Sequence, residues 1–275
     1  MSAALVGYYS STLYFGALAP GTQAMRRAIL ERFRADHGYR PIATLPQKFI
    51  ALTLGKMPPF AARNWLKAIR HLMTYAVSAD LCSVDPTQGI KLPKVKTDGI
   101  YTWSEQDIAG FEAAHPIGTK ARLAFALLLY SGQRLAEVVR MGRQHIRDGV
   151  LQVRQSKTGA VLQIPVHAEL RAVIDATPGE HLTFVTTKTG KPYSGNDFSE
   201  QFRAWCDAAE LPKTCSPHGL RKAACRRLAE AGCSANEIAA ISGHATLSEV
   251  QRYTKAADQA RMARNAMARQ ASNRP

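Results

Sequence analysis

The sequence predicts a mainly α-helical protein with a small antiparallel β-sheet, an α+β chain of two domains. Three observations carry this. Apolar residues recur at helical spacing through most of the chain. Strand-like alternation is confined to a short central stretch near residues 150–166. Between residues 81 and 99, Asp85-Pro86, Gly89, Pro93 and Asp98-Gly99 mark a linker, so residues 1–97 and 98–275 are expected to fold as separate domains.

The first part reads as helical. Gly21-Thr22-Gln23 opens a helix through His37 with Met25, Ile29 and Phe33 inward, and Gly38 ends it. A short helix is expected near 45–54. Pro58-Pro59 starts a longer one whose buried stripe is Trp65, Ile69, Leu72, Met73 and Ala76. Arg63, Lys67 and Arg70 fall on another face, a candidate phosphate-contacting cluster. Lys91, Lys94 and Lys96 make the linker basic as well, suited either to crossing a DNA backbone or to a solvated connector.

In the second part Ser104-Glu105-Gln106-Asp107 caps a helix. The span 122–130 is too uniformly apolar for a surface helix and is read as buried. Gly132-Gln133 turns the chain, Arg134 opens a new helix, and Glu137 is placed to hold its guanidinium. Strands at 150–154 and 161–166 flank a hairpin turn from Gln155 to Ala160, and 182–186 is read as a third strand ended by Gly190-Lys191-Pro192. From Ser199 the chain returns to helix. Ser216 is an N-cap with Pro217 at the first helical position, which sets His218 and Arg221 on one face of the opening turn. A helix start favours an anion. Gly243 breaks a later helix and Thr246-Leu247-Ser248-Glu249 starts another, so His244 falls in a turn and Tyr253 on the following helix. Beyond it Ala256, Ala260, Ala263 and Met267 form a narrow apolar face that needs a docking surface, on its own domain or on another protomer.

Composition narrows the function. A hydrophobic fraction of 46% supports a folded core and argues against disorder. The net charge of +15 points to a polyanionic partner. The excess is uneven: residues 1–97 hold 13 Lys and Arg against 4 Asp and Glu, and the remainder 23 against 17. The five cysteines show no zinc-ligand spacing and read as reduced, cytosolic and structural. No transmembrane run is present, and residues 1–25 lack the basic start of a secretory leader. No carboxylate cluster offers a metal site, so neither metal nor cofactor is expected.

The candidate catalytic residues are Arg134, Lys157, His218, Arg221, His244 and Tyr253. Two guanidinium groups can each match two phosphate oxygens, a lysine and two histidines can donate or move protons, and a phenol can attack phosphorus. His37, His71, His115, His145, His167 and His181 are left as structural or surface residues.

The text around these residues, Leu-Leu-Tyr-Ser-Gly-Gln-Arg134-Leu-Ala-Glu137, Ser-Pro-His218-Gly-Leu-Arg221-Lys and Ile-Ser-Gly-His244-Ala-Thr-Leu-Ser-Glu-Val-Gln-Arg-Tyr253, resembles the tyrosine recombinases, the phage-integrase family. The match is good over about 100–258 and looser over 20–97. The resemblance implies a helical core-type DNA-binding domain followed by a catalytic domain. It implies cutting and rejoining of double-stranded DNA through a covalent 3′-phosphotyrosine, with a prophage or other mobile element as the source. It further implies a monomer when free and a homotetramer on DNA. Larger members carry an arm-site domain before this core, whereas about 20 residues precede the first expected helix here, which leaves a minimal recombinase, a resolvase-like protein or a truncated remnant as the expectations. A catalytically silent DNA-binding regulator and a type IB topoisomerase-like nicking-closing enzyme are the alternatives on the same residues.

Overall fold

The structure, a computed structural model, describes residues 1–272 apart from Lys96 and Glu180. The chain divides into two compact units, Met1–Thr97 and Asp98–Pro275.

The first unit is helical. Helix α1 spans Ser2–Ser10, α2 Pro20–His37, α3 Gln47–Gly55 and α4 Pro59–Ser78. The α4 stripe forms as its spacing requires: Ile69, Leu72, Met73 and Ala76 are buried, and Trp65 packs at the edge of the same core. In α2 the inward residues are Leu30 and Phe33, and Met25 is exposed, one turn outside the packed face. Helix α1 has no counterpart in the sequence prediction. It has no charged residue to mark an outer face and no side-chain cap. Its Ala4, Leu5 and Tyr8 are nevertheless buried, and the Tyr8 hydroxyl lies 2.8 Å from His71 Nδ1 on α4.

Most of the expected linker is packed rather than free. Cys82, Thr87 and Ile90 are buried. Arg70 Nη2 donates to the Ile90 carbonyl (2.8 Å), Arg63 Nη2 to that of Pro93 (2.8 Å), and Gln47 Nε2 to that of Gln88 (2.5 Å). The carbonyls of a non-repetitive segment need partners, and α3 and α4 supply them. Arg63 and Arg70 are thereby engaged in holding their own chain. Lys67, Lys91 and Lys94 are exposed, and Lys96 lies outside the described residues.

The second unit is built around a central helix. Helix α5 spans Glu105–Ala114, behind a capping box of Ser104 and Asp107. Helix α6, Lys120–Ser131, buries every residue from Leu123 to Leu129, so it shows no polar stripe. Trp103, Phe111, Phe198 and Phe202 pack beside it, with Phe111 stacked on its Phe125 at 4.7 Å. Helix α7 is one turn, Leu135–Val138.

A three-stranded antiparallel sheet follows, in the order β1 (Ile146–Arg147), β2 (Val150–Arg154), β3 (Val161–Pro165). Leu151 pairs with Ile164 and Val153 with Leu162, which aligns the apolar faces. The third strand therefore precedes the hairpin. Asp148 and Gly149 both have positive φ (48° and 75°), the two-residue turn that joins twisted strands. The segment 182–186 is not a strand of this sheet. Phe184 N–H donates to the Met141 carbonyl, and Thr186 makes a single bridge with Pro192.

Helices α8 (Ala168–Ala176), α9 (Gly195–Ala208), α10 (Pro217–Glu230), α11 (Ala235–Ser242) and α12 (Leu247–Ser272) complete the unit. Helix α9 begins four residues before the expected start, capped by Ser194. On α12, Ala256, Ala263 and Met267 are exposed, so these residues of the expected tail face are not covered by their own domain; the side chain of Ala260 lies outside the described residues.

Candidate active site

Four of the six candidates converge. Arg134 is the N-cap residue of α7, held extended by the turn after α6. His218 and Arg221 come from the first turn of α10, where Ser216 Oγ accepts the Gly219 N–H at 3.2 Å and Pro217 starts the helix. His244 follows Gly243, which closes α11 with φ +68°.

The two α10 residues separate in environment. Arg221 is 2% exposed, whereas His218 is exposed. His218 lines a cleft of about 700 Å³ with Arg134, Ser199, Arg203 and Lys213. Arg221 Nη1 donates to the carbonyls of Gly132 (2.8 Å) and Ser242 (2.9 Å). Its Nη2 meets His244 Nε2 at 3.2 Å, and His244 Nδ1 lies 2.6 Å from Ser242 Oγ. Ser242 Oγ itself donates to the Ile238 carbonyl. These roles are mutually consistent only for a neutral imidazole carrying its proton on Nδ1.

Electrostatics agrees. Burial, then Arg221, Arg134, Arg252 and His218, hold His244 down at about 4. His218 is lowered by partial desolvation and then by Arg221, Lys222, Arg134 and Arg252. Burial, followed by the neighbouring Arg134, brings Arg221 down to about 10, still cationic at neutral pH. Among the described residues neither Arg134 nor Arg221 has an ion pair. Glu137 is the carboxylate that acts on Arg221, without forming an ion pair, and two guanidinium groups beside a cleft make a site for an anion.

Glu137 does not hold Arg134. Its Oε1 accepts from the backbone N–H (3.0 Å) and hydroxyl (2.8 Å) of Ser156 on the hairpin. One helical turn directs it away from its own N-cap residue and toward the β2–β3 loop. Arg134 Nη1 donates instead to Gln155 Oε1, at 3.0 Å. Gln133, Gln155 and Ser242 are fully buried polar residues that sequence reasoning missed. A signal existed for one of them. Gln155 continues the inward register of Leu151 and Val153, and a polar residue at such a position needs partners.

Neither Lys157 nor Tyr253 hydrogen-bonds to this cluster, although Tyr253 lies near enough to Arg221 for each to shift the other's ionisation. Lys157 is exposed at the tip between β2 and β3. Tyr253 is partly buried against Cys225, Ala229, Ile238 and Val250, and its hydroxyl accepts from Arg252 Nη2 at 3.2 Å. It lines a second cleft with Arg226, Arg252, Arg261 and Arg264. Burial raises its phenol above the usual value; Arg252 and Arg221 oppose this. The remaining histidines have structural partners where bonds are formed: His71 with Tyr8, His115 with the Trp205 carbonyl, His145 with Gly142 N–H and His167 with Glu169 N–H. All five cysteines are free. Among the described residues no cluster of three or more His, Cys, Asp or Glu could hold a metal ion, and no helix is long and apolar enough to cross a membrane.

A mostly helical unit with a three-stranded sheet, a guanidinium pair and a tyrosine on a late helix defines a class that matches known proteins. The description of the phage integrase family fits residues 103–260. The chain is 23% identical over 203 residues to tyrosine recombinase XerC of Proteus mirabilis, covering 68% of this chain and 65% of that one. It is 25% identical over 218 residues to the integrase of Escherichia phage HK022, covering 74% and 59%. Among solved structures, a lambda integrase dimer bound to a COC′ core site is similar at a TM-score of 0.75 and 19% identity, over 92% of this chain and 95% of that one. The Tn1549 transposon integrase in complex with a circular intermediate DNA is similar at a TM-score of 0.76 and 18% identity, over 96% and 99%. The matched region spans about two thirds of the length of the XerC relative. The chain belongs to the phage integrase family of tyrosine recombinases.

Proposed function

We propose that this protein is a site-specific DNA recombinase of a prophage or other mobile element, joining and cutting double-stranded DNA through a 3′-phosphotyrosine. The observation that carries this is the buried guanidinium of Arg221 beside Arg134, two cations that form no ion pair among the described residues.

In this reading Arg134 and Arg221 neutralise the non-bridging oxygens of the scissile phosphate. His218 accepts the phenol proton or donates to phosphate, and His244, accepting from Arg221 Nη2, steadies that guanidinium against the phosphate. The Tyr253 oxygen forms the bond to phosphorus while the bond to the 5′-oxygen breaks. Lys157 delivers a proton to that leaving oxygen. The phosphodiester energy is retained in the tyrosyl ester, so the reverse attack by a 5′-hydroxyl rejoins a strand. No metal enters these steps. Residues 1–97, with most of the charge excess, act as the DNA-gripping domain and 98–275 as the catalytic one. Four protomers assemble on two duplexes, a monomer being the free form, and the reaction takes place in the cytoplasm at the nucleoid.

The test is a nicked half-site duplex taken from DNA flanking the gene. Wild-type protein with EDTA present is expected to give a DNA-shifted band on a denaturing gel, and Tyr253→Phe to bind but give none. No adduct from the wild type would overturn the enzymatic reading in favour of a silent regulator. An adduct without strand exchange between two full sites would favour a nicking-closing enzyme.

A further inference from the structure

Gln155 has all four of its amide hydrogen-bonding positions in use. Its Oε1 accepts from Arg134 Nη1 (3.0 Å) and Thr158 Oγ1 (2.9 Å). Its Nε2 donates to Gln133 Oε1 (2.7 Å) and to the Ser242 carbonyl (2.8 Å). The orientation of the amide is unambiguous, because a guanidinium cannot accept and a carbonyl cannot donate. Gln133 is held in turn: its Nε2 donates to the Ile241 carbonyl at 2.7 Å, leaving its own oxygen for Gln155.

These partners belong to three separate segments. Arg134 is at the start of α7. Thr158 is on the β2–β3 tip, which also carries Lys157 and is closed by backbone bonds from Gln155 N–H to the Ala160 carbonyl and from Gly159 N–H to the Gln155 carbonyl. Ser242 precedes the His244 turn, and its carbonyl is the one that Arg221 also contacts. The turn is shaped to the amide. A Cβ at position 243 would fall 2.3 Å from Gln155 Nε2 and 2.6 Å from Cδ, so glycine is needed there for contact as well as for its φ of +68°.

We propose that Gln155 is a positioning residue that sets Arg134 and the Lys157 hairpin in register with the Arg221–His244 turn. The inference rests on the recombinase reading for its catalytic consequence. Its structural content, that one buried amide couples the three segments, stands independently. Buried polar side chains are expensive unless satisfied, and a leucine would fill the same space without that cost. Four satisfied bonds at the meeting point of three site segments are what positioning requires.

The experiment uses the full-length protein and two variants. Gln155→Leu removes all four bonds at similar volume. Thr158→Val removes the hydroxyl's bond to Gln155 and its longer contact with the Ala160 N–H, and leaves the other three Gln155 bonds in place. Gln155→Leu is expected to keep DNA affinity within about twofold and to slow single-turnover adduct formation roughly thirtyfold, the scale of lost orienting contacts. In an Arg134→Ala background the same change should cost less than about threefold, because its effect passes through Arg134. Thr158→Val should lose about threefold, restored by a 5′-thio leaving group that needs no proton. Amide exchange at residues 156–159 of the free protein should quicken in both variants. Fully additive losses with Arg134→Ala, or unchanged exchange at the hairpin in both variants, would overturn the proposal. Wild-type protein without adduct would instead overturn the recombinase reading, and exchange would still decide the coupling. Should Gln155→Leu not fold, Thr158→Val with its thio rescue and exchange decides the matter.

Discussion

Arg221 and His244 share a hydrogen bond, Nη2 to Nε2 at 3.2 Å, that requires the imidazole to be neutral. The bond places a proton acceptor, not a second cation, against a buried guanidinium.

A pH dependence of stability follows. His244 is held at about 4, below its usual 6.5, by burial and then by Arg221, Arg134, Arg252 and His218. As pH falls through 6.5 the unfolded chain takes up the proton first, so the contribution is full above pH 6.5 and is lost progressively toward pH 4. His218 and His71, also lowered, act in the same sense. Glu105 and Asp107, held low, add their losses only below their usual values of 4.5 and 3.8. Thermal melts between pH 8 and 4.5 should show Tm level at first and then falling, and His244→Gln should flatten part of the fall. An identical profile in the variant would remove His244 from this account.

The two arginines should differ in stability while sharing a catalytic loss. Each replacement by alanine is expected to cut cleavage by at least about a hundredfold. Arg221→Ala also strands the buried carbonyl of Gly132, at about 1–3 kcal/mol, and leaves that of Ser242 with Gln155 Nε2 alone. Its Tm should drop by several degrees or more, about 2–4 °C per kcal/mol. Arg134→Ala, partly exposed and bonded only to Gln155, should melt close to wild type. Equal melting of the two variants would show that the carbonyl clamp is not structural.

Within the first unit, Lys67 and Arg70 should separate in the opposite way. Lys67 is exposed, and its replacement by alanine should lower the slope of log affinity against log salt by about one. Arg70 holds the Ile90 carbonyl, so Arg70→Ala should lower Tm with a smaller change in slope. A salt titration and a melt of each variant settle the division.

The tail of α12 is expected to serve assembly. Ala256, Ala263 and Met267 are exposed, residues of the tail face without cover from their own domain. Truncation after Ala257 should preserve cleavage of a single half-site and abolish cooperative binding to two. Gel-shift titrations with one-half-site and two-half-site DNA measure this, and equal cooperativity would place the assembly contact elsewhere.

Helix starts and stops were legible because they rest on short-range chemistry. Ser104, Ser216 and Gly243 each act on backbone within a few residues, and each works in the structure as its neighbours imply. The β2–β3 hairpin was legible from alternation. Helix α1 was not, since Leu5 and Tyr8 reveal their role only against α4. Alternation alone points to 182–186 as the third strand, whereas the turn at Asp148-Gly149 is what pairs 146–147 with β2.

The sequence by itself determined the residue types of the site, their order and the local elements that carry them. Tertiary structure alone decided which partner each one has. Glu137 is three residues from Arg134 yet serves Ser156, and Arg134 is held by Gln155, 21 residues away. The physical reason is that caps and turns satisfy neighbouring backbone groups, whereas a buried guanidinium or amide must find acceptors wherever packing brings them. Arg221 finds them at Gly132 and Ser242, 89 and 21 residues distant, and no spacing along the chain encodes that meeting.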